Sequence, residues 1–582
     1  MSKGLYDSYI RAIRWASDRV GASGVIGFVT NARFLDTGTF DGLRRCLADE
    51  FSSVYVFHLR GNQRTAGDLS RKEGGKIFGS GSRAPIAISL LVKNPTAEKH
   101  GQIYVHDIGD YLSRDEKLEI ISTLKSIAGI TQANQWQAIT PDEHGDWLKQ
   151  REGSFADYIV LGDKKGTGPK VFENFSLGVV TNRDAWCYNA SKSAVTANMT
   201  QMIAFYNQEA NRFERTYPGL SKKQREALID DFIDNDPSRI AWTRALKQEL
   251  AKDRRFEFEA ADLVPSLYRP FTKQWLYFNR NLNEMVLQMP RIFPDAAAEN
   301  IVICLNGVGS QKEFCVLMAG CVSDLHLIQT GQCFPLYLYD EPDVTAEAAP
   351  TQQHGLFDAP EQPEKKPAAR KRRDAITAEG LAHFQAAYPG EAINREDVFY
   401  YVYGLLHSPD YRERFADNLG KELPRIPCVA AAADFWAFSQ AGRKLADLHL
   451  NYETVAMYPA KVQGDDMTTS PSLPAALYRV EKMKFGKSGK DKDRTTIHYN
   501  HAITVSSIPL EAYDYVVNGK PAIEWVMERQ CVKTDKDSGI VNDANDWAIE
   551  TMGNPRYPLE LLLRVITVGL ETMRIVRGLP GV

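Results

Sequence analysis

The sequence is poor in cysteine and has no long apolar run. None of its eight cysteines forms a Cys-x-x-Cys pair or has zinc-ligand spacing with histidine, so we expect no structural zinc and no disulfides, as suits a reducing compartment. No stretch is apolar over the length that a bilayer requires, and the N-terminal residues lack the apolar core of a secretion signal. The sequence therefore predicts a cytoplasmic protein without metal ligands and without a membrane partner.

The chain also has no excess of positive charge. The net charge is -4 over 582 residues, so the surface as a whole does not attract nucleic acid. Hydrophobic residues make up 43% and charged residues 25% of the chain, which is typical of a folded protein of several domains. Any DNA binding must therefore depend on local basic patches.

Nucleotide-binding and catalytic motifs are absent or incomplete. The Gly-Lys-Ser at 486–488 would need glycine at position 481 to form a phosphate-binding loop, and that residue is Glu481. The tetrapeptide Asn-Pro-Arg-Tyr at 554–557 resembles the Asn-Pro-Pro-Tyr motif of amino-methyltransferases, but arginine replaces the second proline. No glycine-rich strand-turn for S-adenosylmethionine precedes it. We favour a turn that leads into a helix, and we predict no ATPase motor and no catalytic residue.

The first 155 residues have the pattern of an α/β fold. Leu43, Leu47 and Phe51 recur at helical spacing within 40–51. The segment 61–85 is too long and too rich in glycine and charge for a tight hairpin, which indicates either a functional loop or a surface excursion. Four short apolar runs predict buried strands: 23–30, 52–61, 84–94 and 102–112.

After residue 155 the sequence becomes irregular, aromatic and rich in lysine and arginine. Segment 341–375 is rich in proline, alanine, glutamine and charge, which predicts a linker or disordered insertion and a subdomain boundary. Its basic run 365–373 would either contact the DNA backbone or be solvated. Helices are predicted at KKQREALIDDFI, at ALKQELAK, twice within 395–423 and at 558–576.

Two segments of this second part combine aromatic and polar side chains, Thr181–Trp186 and Tyr268–Phe271. Asparagine, arginine and threonine suit base edges and phosphates, and aromatic rings can stack on bases. The alternative is that Arg183 and Asp184 form a structural pair and that Trp186 belongs to the core. The sequence leaves both interpretations open.

Several long sequence segments occur in a characteristic order over nearly the whole chain. They include LYDSYIRAIRWASDRV, GVIGFVTNARFLD, RKEGGKIFGSGSRAPIAISLLVKNP, SLGVVTNRDAWCYN, YRPFTKQWLYFNR and NPRYPLELLLRVI. Together they resemble the C-terminal portion of the single-chain type ISP restriction-modification enzymes. In that family, one polypeptide carries a nuclease, a helicase-like ATPase, a coupler, a gamma-class adenine-N6 methyltransferase and a target-recognition domain.

The resemblance implies an α/β fold in which the terminal part of a Rossmann-like class I methyltransferase sheet precedes a mixed α+β target-recognition domain. The implied divisions are the end of the methyltransferase domain (1–155), the first part of the target-recognition domain (156–340), a linker or disordered insertion (341–375) and the second part of that domain (376–582).

The function implied by the resemblance is recognition of a specific sequence in double-stranded DNA, which positions an adenine for N6 methylation in anti-phage restriction-modification. The family has its glycine-rich cofactor motif and Asn-Pro-Pro-Tyr upstream of the segment that corresponds to Leu5–Tyr9, which here follows Met1 almost directly. We therefore expect S-adenosylmethionine in the complete enzyme and none on this chain alone. The N-terminal nuclease, helicase and methyltransferase part is linked in cis in the family; for this chain it would be supplied by a separate polypeptide or be lost from a truncated remnant.

Two alternatives of other kinds stay open: a complete but divergent adenine-specific methyltransferase, and a non-catalytic interaction scaffold. If the chain recognises DNA, as the resemblance implies, the candidate site residues follow from residue type and from position within the segments that resemble the family. The residues expected at the border of the cofactor or base pocket are Thr30, Asn31, Phe78, Ser82 and Arg83. The residues expected to contact DNA are Asn182, Arg183, Trp186, Arg269, Lys273, Arg280, Arg291 and Lys312.

Overall fold

A computed structural model describes residues 3–62, 73, 77–78, 83–310, 312–340, 370–465, 474–489 and 491–582. The chain is a mixed α/β protein with several small sheets. This confirms the α/β class expected from the sequence. No helix in the described ranges combines the length and the apolar character needed to cross a membrane.

The first unit (residues 3–150) is built on a five-stranded sheet with the order β1-β3-β2-β4-β5. Strand β3 runs antiparallel to both of its neighbours, β1 and β2, whereas β2 and β4 are parallel. The strands are β1 Gly24–Asn31, β2 Ser53–His58, β3 Ile86–Lys93, β4 Gln102–Asp107 and β5 Gln137–Ile139. The four strands predicted from apolar runs are therefore confirmed, with ends that differ by a few residues.

Four helices flank this sheet: α1 Ser8–Ser17, α2 Asp41–Glu50, α3 Arg114–Leu124 and α4 Ile127–Gln132. Residues of α1 and α2 share an apolar core with one face of the sheet, where Ile26, Val54 and Leu91 are buried. On the other face, Tyr55 of β2 stacks on Tyr104 of β4 at 5.1 Å. Removal of these side chains from water supplies the main driving force for this packing.

Strand β1 is only partly covered. Val25 and Val29 are 63% and 52% exposed and share a face of the sheet. Within the described ranges, β3 is the only strand that pairs with β1, so the outer edge of β1 is open. In folded proteins and their assemblies, open strand edges and exposed apolar side chains are usually covered, because both favour association with other chains.

The second unit (residues 151–582) contains several sheets and many short strands. Its largest sheets have the orders β13-β9-β10-β8, β12-β11-β14-β7 and β18-β21-β20-β19. The strands are β6 Ile159–Val160, β7 Ser176–Leu177, β8 Tyr188–Asn189, β9 Leu263–Arg269, β10 Thr272–Tyr277, β11 Val302–Leu305, β12 Val316–Ala319, β13 Val322–Ser323, β14 Gln332–Pro335, β15 Tyr337–Tyr339, β16 Arg372–Asp374, β17 Arg425–Ile426, β18 Lys461–Gln463, β19 Lys484–Ser488, β20 Asp491–His498, β21 Thr504–Ser506, β22 Val516–Val517, β23 Lys520–Pro521, β24 Val532–Thr534 and β25 Val541–Asp543.

The helices of the second unit include all of those predicted from periodicity. They are α5 Asp184–Cys187, α6 Lys192–Thr216, α7 Lys222–Phe232, α8 Arg244–Ala251, α9 Met289–Ile292, α10 Ala378–Ala387, α11 Arg395–Leu405, α12 Pro409–Arg414, α13 Ala416–Leu419, α14 Ala432–Leu450, α15 Ala475–Tyr478, α16 Ala522–Arg529, α17 Ala544–Asp546 and α18 Tyr557–Arg577. Helices α11 and α14 pack closely, because a Cβ on Gly442 would lie 1.9 Å from the Tyr400 carbonyl oxygen.

One apolar core continues through the second unit, from Phe155 to Val576. Strand β16 pairs with β15, so residues 372–374 belong to this folded part. The prediction of a linker over 341–375 is corrected at its C-terminal end, because backbone pairing holds these residues against Tyr337–Tyr339. The rest of the predicted linker, 341–369, lies outside the described residues.

A buried polar chain connects three helices of this core. The Tyr403 hydroxyl on α11 and Nδ1 of His449 on α14 are hydrogen-bonded at 2.5 Å, and Nε2 of His449 is 3.0 Å from Oγ1 of Thr572 on α18. Tyr515 stacks on the imidazole at 5.3 Å. Burial lowers the pKa of His449 to about 3, so the ring is neutral at neutral pH.

Acid is expected to weaken the fold through His449. In the unfolded chain a histidine takes up a proton below about pH 6.5, but the buried ring does not, so stability is full above that pH and is lost as pH falls towards the folded pKa. The loss is about 1.4 kcal/mol per pH unit, or about 2.7 kcal/mol at about pH 4.5. Urea unfolding at about pH 6.5 and about pH 4.5 measures this loss. The free energy of unfolding should fall less between these two pH values for His449→Gln than for the wild type. His100→Gln, at an exposed position, is the control; equal pH effects in all three proteins would contradict this assignment.

Candidate nucleic-acid interface

A cleft of about 410 Å³ separates the first unit from the second. Its floor lies at the edge of the sheet where β1 and β2 end, and Arg33, His58 and Arg60 line it there. The opposite wall comes from the second unit and includes Lys312 and Lys421. The cleft therefore joins residues that lie far apart in the sequence, and both walls contribute cations and carboxylates.

The border residues Thr30 and Asn31 form the end of β1 and are half-buried beside this cleft. The Asn31 side chain accepts a hydrogen bond from the backbone NH of Arg33 at 3.0 Å, which turns the chain sharply at the strand end. Such an Asx cap satisfies a backbone NH that has no partner in the following helical turn. Arg33 is thereby held in the cleft wall.

An ion-pair network organises the floor of the cleft. The guanidinium of Arg60 donates two hydrogen bonds to Asp107, from Nε to Oδ1 at 2.8 Å and from Nη2 to Oδ2 at 2.6 Å. Burial acts to raise the pKa of Asp107, but hydrogen bonds from His58 and Arg60 outweigh it and hold the pKa well below its usual value. Asp107 is thus a carboxylate at neutral pH. A bidentate pair of this kind fixes the position of the arginine.

Lys312 lies where the cleft meets a second group of cations. Its ammonium donates to the Asn518 carbonyl oxygen at 2.7 Å. Burial lowers the pKa of Lys312, and the positive charges of Lys520 and Arg269 lower it further. Lys312 and Lys520 are thus close together, with Glu528 as a carboxylate nearby.

The cations around Trp525 form the centre of this second group. Lys312, Lys520 and Arg529 lie 5.9, 4.6 and 5.6 Å from the Trp525 ring system, within the range of cation–π attraction. We call these four residues the Trp525 cluster. Lys520, Trp525 and Arg529 are not among the residues predicted from the sequence. The interleaving of basic and aromatic residues in 520–529 was the signal that could have identified them.

The two aromatic segments predicted to contact DNA come together in the fold. The Tyr268 hydroxyl donates to Asp184 at 3.0 Å, and Nη1 of Arg269 donates to Asp324 at 2.6 Å. The Arg269 guanidinium also lies 3.8 Å from the centre of the Tyr268 ring. Arg269 is 9% exposed, so its prediction as a DNA contact is corrected: its hydrogen-bonding groups hold the protein interior together.

Arg183 and Trp186 need the same correction, because they are 4% and 3% exposed. The Arg183 guanidinium donates to the Thr243 hydroxyl, and burial lowers its pKa. Trp186 belongs to the apolar core. The alternative of a core position is correct for Trp186, whereas the alternative of an Arg183–Asp184 pair is not found, because Arg183 bonds to Thr243.

The other predicted site residues differ in how far they are buried and in whether they form ion pairs. Lys273 is half-buried and forms an ion pair with Glu453 at 2.5 Å. Arg291 is half-buried and lies 3.5 Å from Asp340. The predicted residues that are exposed are Asn182, Arg280, Phe78 and Arg83. Ser82 lies outside the described residues, as does most of the predicted loop 61–85.

Asn182 combines exposure with an uncommon backbone. Its φ is 51°, in the left-handed region that asparagine tolerates better than most residues. The neighbouring Thr181 and Arg183 are buried, so both flanks of this residue are held by the core. The fold thus presents the Asn182 amide at the surface from a rigid base.

The tetrapeptide at 554–557 is part of the structure of the second unit. Oδ1 of Asn554 accepts from the backbone NH of Arg556 at 3.0 Å, and Tyr557 begins helix α18. Tyr557 is buried and donates from its hydroxyl to Glu453 at 2.5 Å. These contacts confirm the prediction of a turn that leads into a helix, since a buried tyrosine has no free face for a base.

Comparisons with known proteins agree with the resemblance in the sequence. A family model described as the Type ISP C-terminal specificity domain matches residues 170–561. A nuclease-deletion mutant of the Type ISP restriction-modification enzyme LlaGI, in complex with a DNA substrate mimic, is 41% identical with a TM-score of 0.82. The similarity covers 99% of this chain and 48% of that one.

Two further solved structures are similar over almost the whole chain. The ATP-dependent Type ISP restriction-modification enzyme LlaBIII bound to DNA is 36% identical (TM-score 0.81), over 99% of this chain and 34% of that one. The DrdV–DNA complex is 31% identical (TM-score 0.79), over 100% of this chain and 53% of that one. The chain thus spans between a third and about half of these proteins. No curated protein sequence matches it.

Proposed function

The chain belongs to the type ISP family, and its residues 170–561 match the C-terminal specificity domain of that family. From this we propose that the chain reads a specific DNA sequence and positions an adenine there for N6 methylation. The observation that carries the proposal is the cleft between the two units. Its floor lies where β1 and β2 end, as ligand sites of α/β sheets commonly do, and both walls carry cations interspersed with carboxylates.

In this proposal, duplex DNA extends from the cleft past Lys312 and the Trp525 cluster to Asn182. Lysine and arginine side chains would contact phosphates, which orient a duplex without reading its sequence. The Asn182 amide has the donor and acceptor needed to read a base edge, most readily adenine. Thr30, Asn31, Phe78 and Arg83 would border the pocket for the target base, and exposed Arg280 would add a backbone contact.

The methyl donor S-adenosylmethionine would need more than the described residues provide. Donor sites of this class use a glycine-rich turn after a strand. Here β1 is followed by 32–35, which contains no glycine, and β2 by 59–62, which contains only Gly61. We therefore assign no residue of this chain to the donor. A catalytic part with the glycine-rich motif and Asn-Pro-Pro-Tyr, in the same or a separate polypeptide, would supply that site.

The open side of β1 is the place that we propose for this catalytic part. An antiparallel β3 between the parallel strands β1 and β2 is the arrangement implied for the end of a class I methyltransferase sheet. Further strands would then extend the sheet from β1. Helices packed on the extended sheet would cover Val25 and Val29, whose exposure is costly in an isolated unit.

Loss of the Asn182 amide is expected to reduce sequence discrimination. After selection of a preferred site from random duplexes, Asn182→Gly should bind that site about 10- to 100-fold more weakly, since a well-placed base contact contributes about 1–3 kcal/mol. Binding to unrelated DNA should not change. Glycine adopts a φ of 51° easily, so the substitution removes the side chain without straining the turn.

Asn134→Gly is a matched control, because Asn134 is also exposed and has a φ of 52°. It should leave both affinities unchanged. Unaltered discrimination by Asn182→Gly would remove Asn182 from the interface. Absent or salt-insensitive DNA binding by the unchanged chain would contradict the proposed function as a whole and would favour an interaction scaffold.

A further inference from the structure

The hairpin of β19 and β20, residues 484–489 and 491–498, projects three exposed lysines: Lys484, Lys487 and Lys492. We call it the basic hairpin. It contains the Gly-Lys-Ser at 486–488, which forms part of strand β19. In a chain with a net charge of -4, this concentration of lysine does not reflect the overall composition.

The lysines of the basic hairpin repel one another. Lys487 and Lys492 are directly opposite in the strand register, and like charges at opposed positions destabilise a β-ladder. Across the described part of the chain, no ion pair to a carboxylate is observed for Lys484, Lys487 or Lys492. An arrangement that costs stability in the free protein points to an anionic partner.

Two carboxylates flank Lys492 along β20: Asp491, which is exposed, and Asp493, which is already used within the strand. Asp493 accepts hydrogen bonds from the backbone NH of Thr495 at 2.9 Å and from the Thr495 hydroxyl at 2.6 Å. Hydrogen bonds from the hydroxyls of Thr495 and Thr496 hold its pKa below the usual value. Asp493 is thus a carboxylate whose lone pairs are largely occupied by its own strand.

The basic hairpin is joined to the helix that carries Trp525. Arg494 of β20 lies 3.5 Å from Glu524 of α16, and Lys520 of the Trp525 cluster pairs with Glu528 of the same helix. Glu524 and Glu528 are one helical turn apart and thus lie on one face. The middle of the hairpin and the Trp525 cluster are therefore neighbours, joined through the two glutamates of this helix.

We propose that the basic hairpin binds the phosphate backbone of duplex DNA beside the recognised sequence and adds affinity that does not depend on sequence. Lysine is a compact, mobile charge that suits phosphates, whereas bidentate reading of a base favours arginine, asparagine or glutamine. Continuity with the Trp525 cluster favours DNA over an acidic protein as the partner. This inference rests on the proposed DNA recognition and extends it to a second contact surface.

The test is a salt titration of DNA binding by the full chain. Fluorescence anisotropy would measure binding of a labelled random-sequence duplex by the wild type and by the triple variant Lys484→Gln, Lys487→Gln, Lys492→Gln. Each lost phosphate contact lowers the slope of log K against log salt by about 0.9, so we expect a slope reduced by about 2–3. The ratio of specific to non-specific affinity should be unchanged.

The triple variant Lys222→Gln, Lys223→Gln, Lys252→Gln is the control for a change in net charge, since these three lysines are exposed elsewhere in the second unit. It should leave the slope close to that of the wild type. Melting temperatures should show that the hairpin variant folds, and removal of the Lys487–Lys492 repulsion should not lower its stability.

The two possible failures are distinguishable. If the unchanged chain binds the duplex and the hairpin variant has the same slope, or if the control variant loses as much slope, the hairpin is not a phosphate contact. If the hairpin substitutions weaken binding to polyglutamate but not to DNA, the surface serves an acidic protein and the inference is wrong. Failure of the proposed function would appear differently, as no DNA binding by the unchanged chain.

Discussion

Methyl transfer from labelled S-adenosylmethionine to DNA is expected only when this chain is combined with a polypeptide that carries the glycine-rich cofactor motif and Asn-Pro-Pro-Tyr. Neither polypeptide should be active alone, because one lacks the reacting groups and the other lacks the surface that positions DNA. The measurement compares the chain, the product of the coding sequence immediately upstream, and their mixture on random-sequence DNA. Activity should rise from background to a readily measured rate.

The proposed docking side makes this test more specific. A charge at Val25 or Val29 would have to be buried when further strands and helices cover β1, so Val25→Asp with Val29→Asp should abolish activity of the mixture. DNA binding by the chain alone should remain. Val516→Asp, at an exposed valine of the second unit, is the control and should keep the activity. Activity of the chain alone, lost on Asn554→Ala, would instead support a complete, divergent methyltransferase.

Replacement of Asp146 by alanine is expected to destabilise the chain by about 3–5 kcal/mol, the cost of leaving a buried charge without its partner. The Asp146 carboxylate is fully buried and contacts three cations. Arg44 and Lys421 lie 2.5 and 2.8 Å away, and Arg151 lies 3.3 Å away. The change would leave at least two buried positive charges uncompensated, since Arg44 and Lys421 are 0% and 5% exposed.

Urea unfolding, followed by circular dichroism, measures this loss. Asp514→Ala is the control, since the Asp514–Arg577 pair is largely exposed and such pairs contribute under about 1 kcal/mol. Because Lys421 belongs to the second unit and lines the cleft, Asp146→Ala should also weaken DNA binding at temperatures where the chain is folded. A loss of stability no larger than that of the control would show that the carboxylate does not hold these cations.

Local patterns in the sequence were sufficient for most of the framework. Apolar runs identified β1 to β4, and periodicity identified α2, α7, α8 and the last helix, because burial of side chains at regular spacing depends mainly on neighbouring residues. The long sequence segments also predicted that the chain belongs to the type ISP family, and the match of the family model to residues 170–561 confirms this. The chain turn at 554–557 was predicted on the same local grounds.

The candidate site was predicted less well, because residue type does not show which charges are already paired. Arg269 was selected as a DNA contact, yet its guanidinium is held by Asp324, 55 residues further along the chain. Trp186 was selected for stacking, yet it lies in the core. In contrast, Lys520 and Arg529 were not selected, although the fold brings them to the same tryptophan as Lys312.

The sequence by itself determined the family, the α/β class and the positions of the main strands and helices, because these depend on local apolar patterns and on long sequence segments that few other proteins share. Only the tertiary structure decided which polar side chains are available to DNA. That availability depends on pairs between distant positions, such as Lys421 with Asp146 and Arg269 with Asp324. Burial of a charge is tolerated only with such a partner, so long-range packing separates structural cations from those left for a ligand.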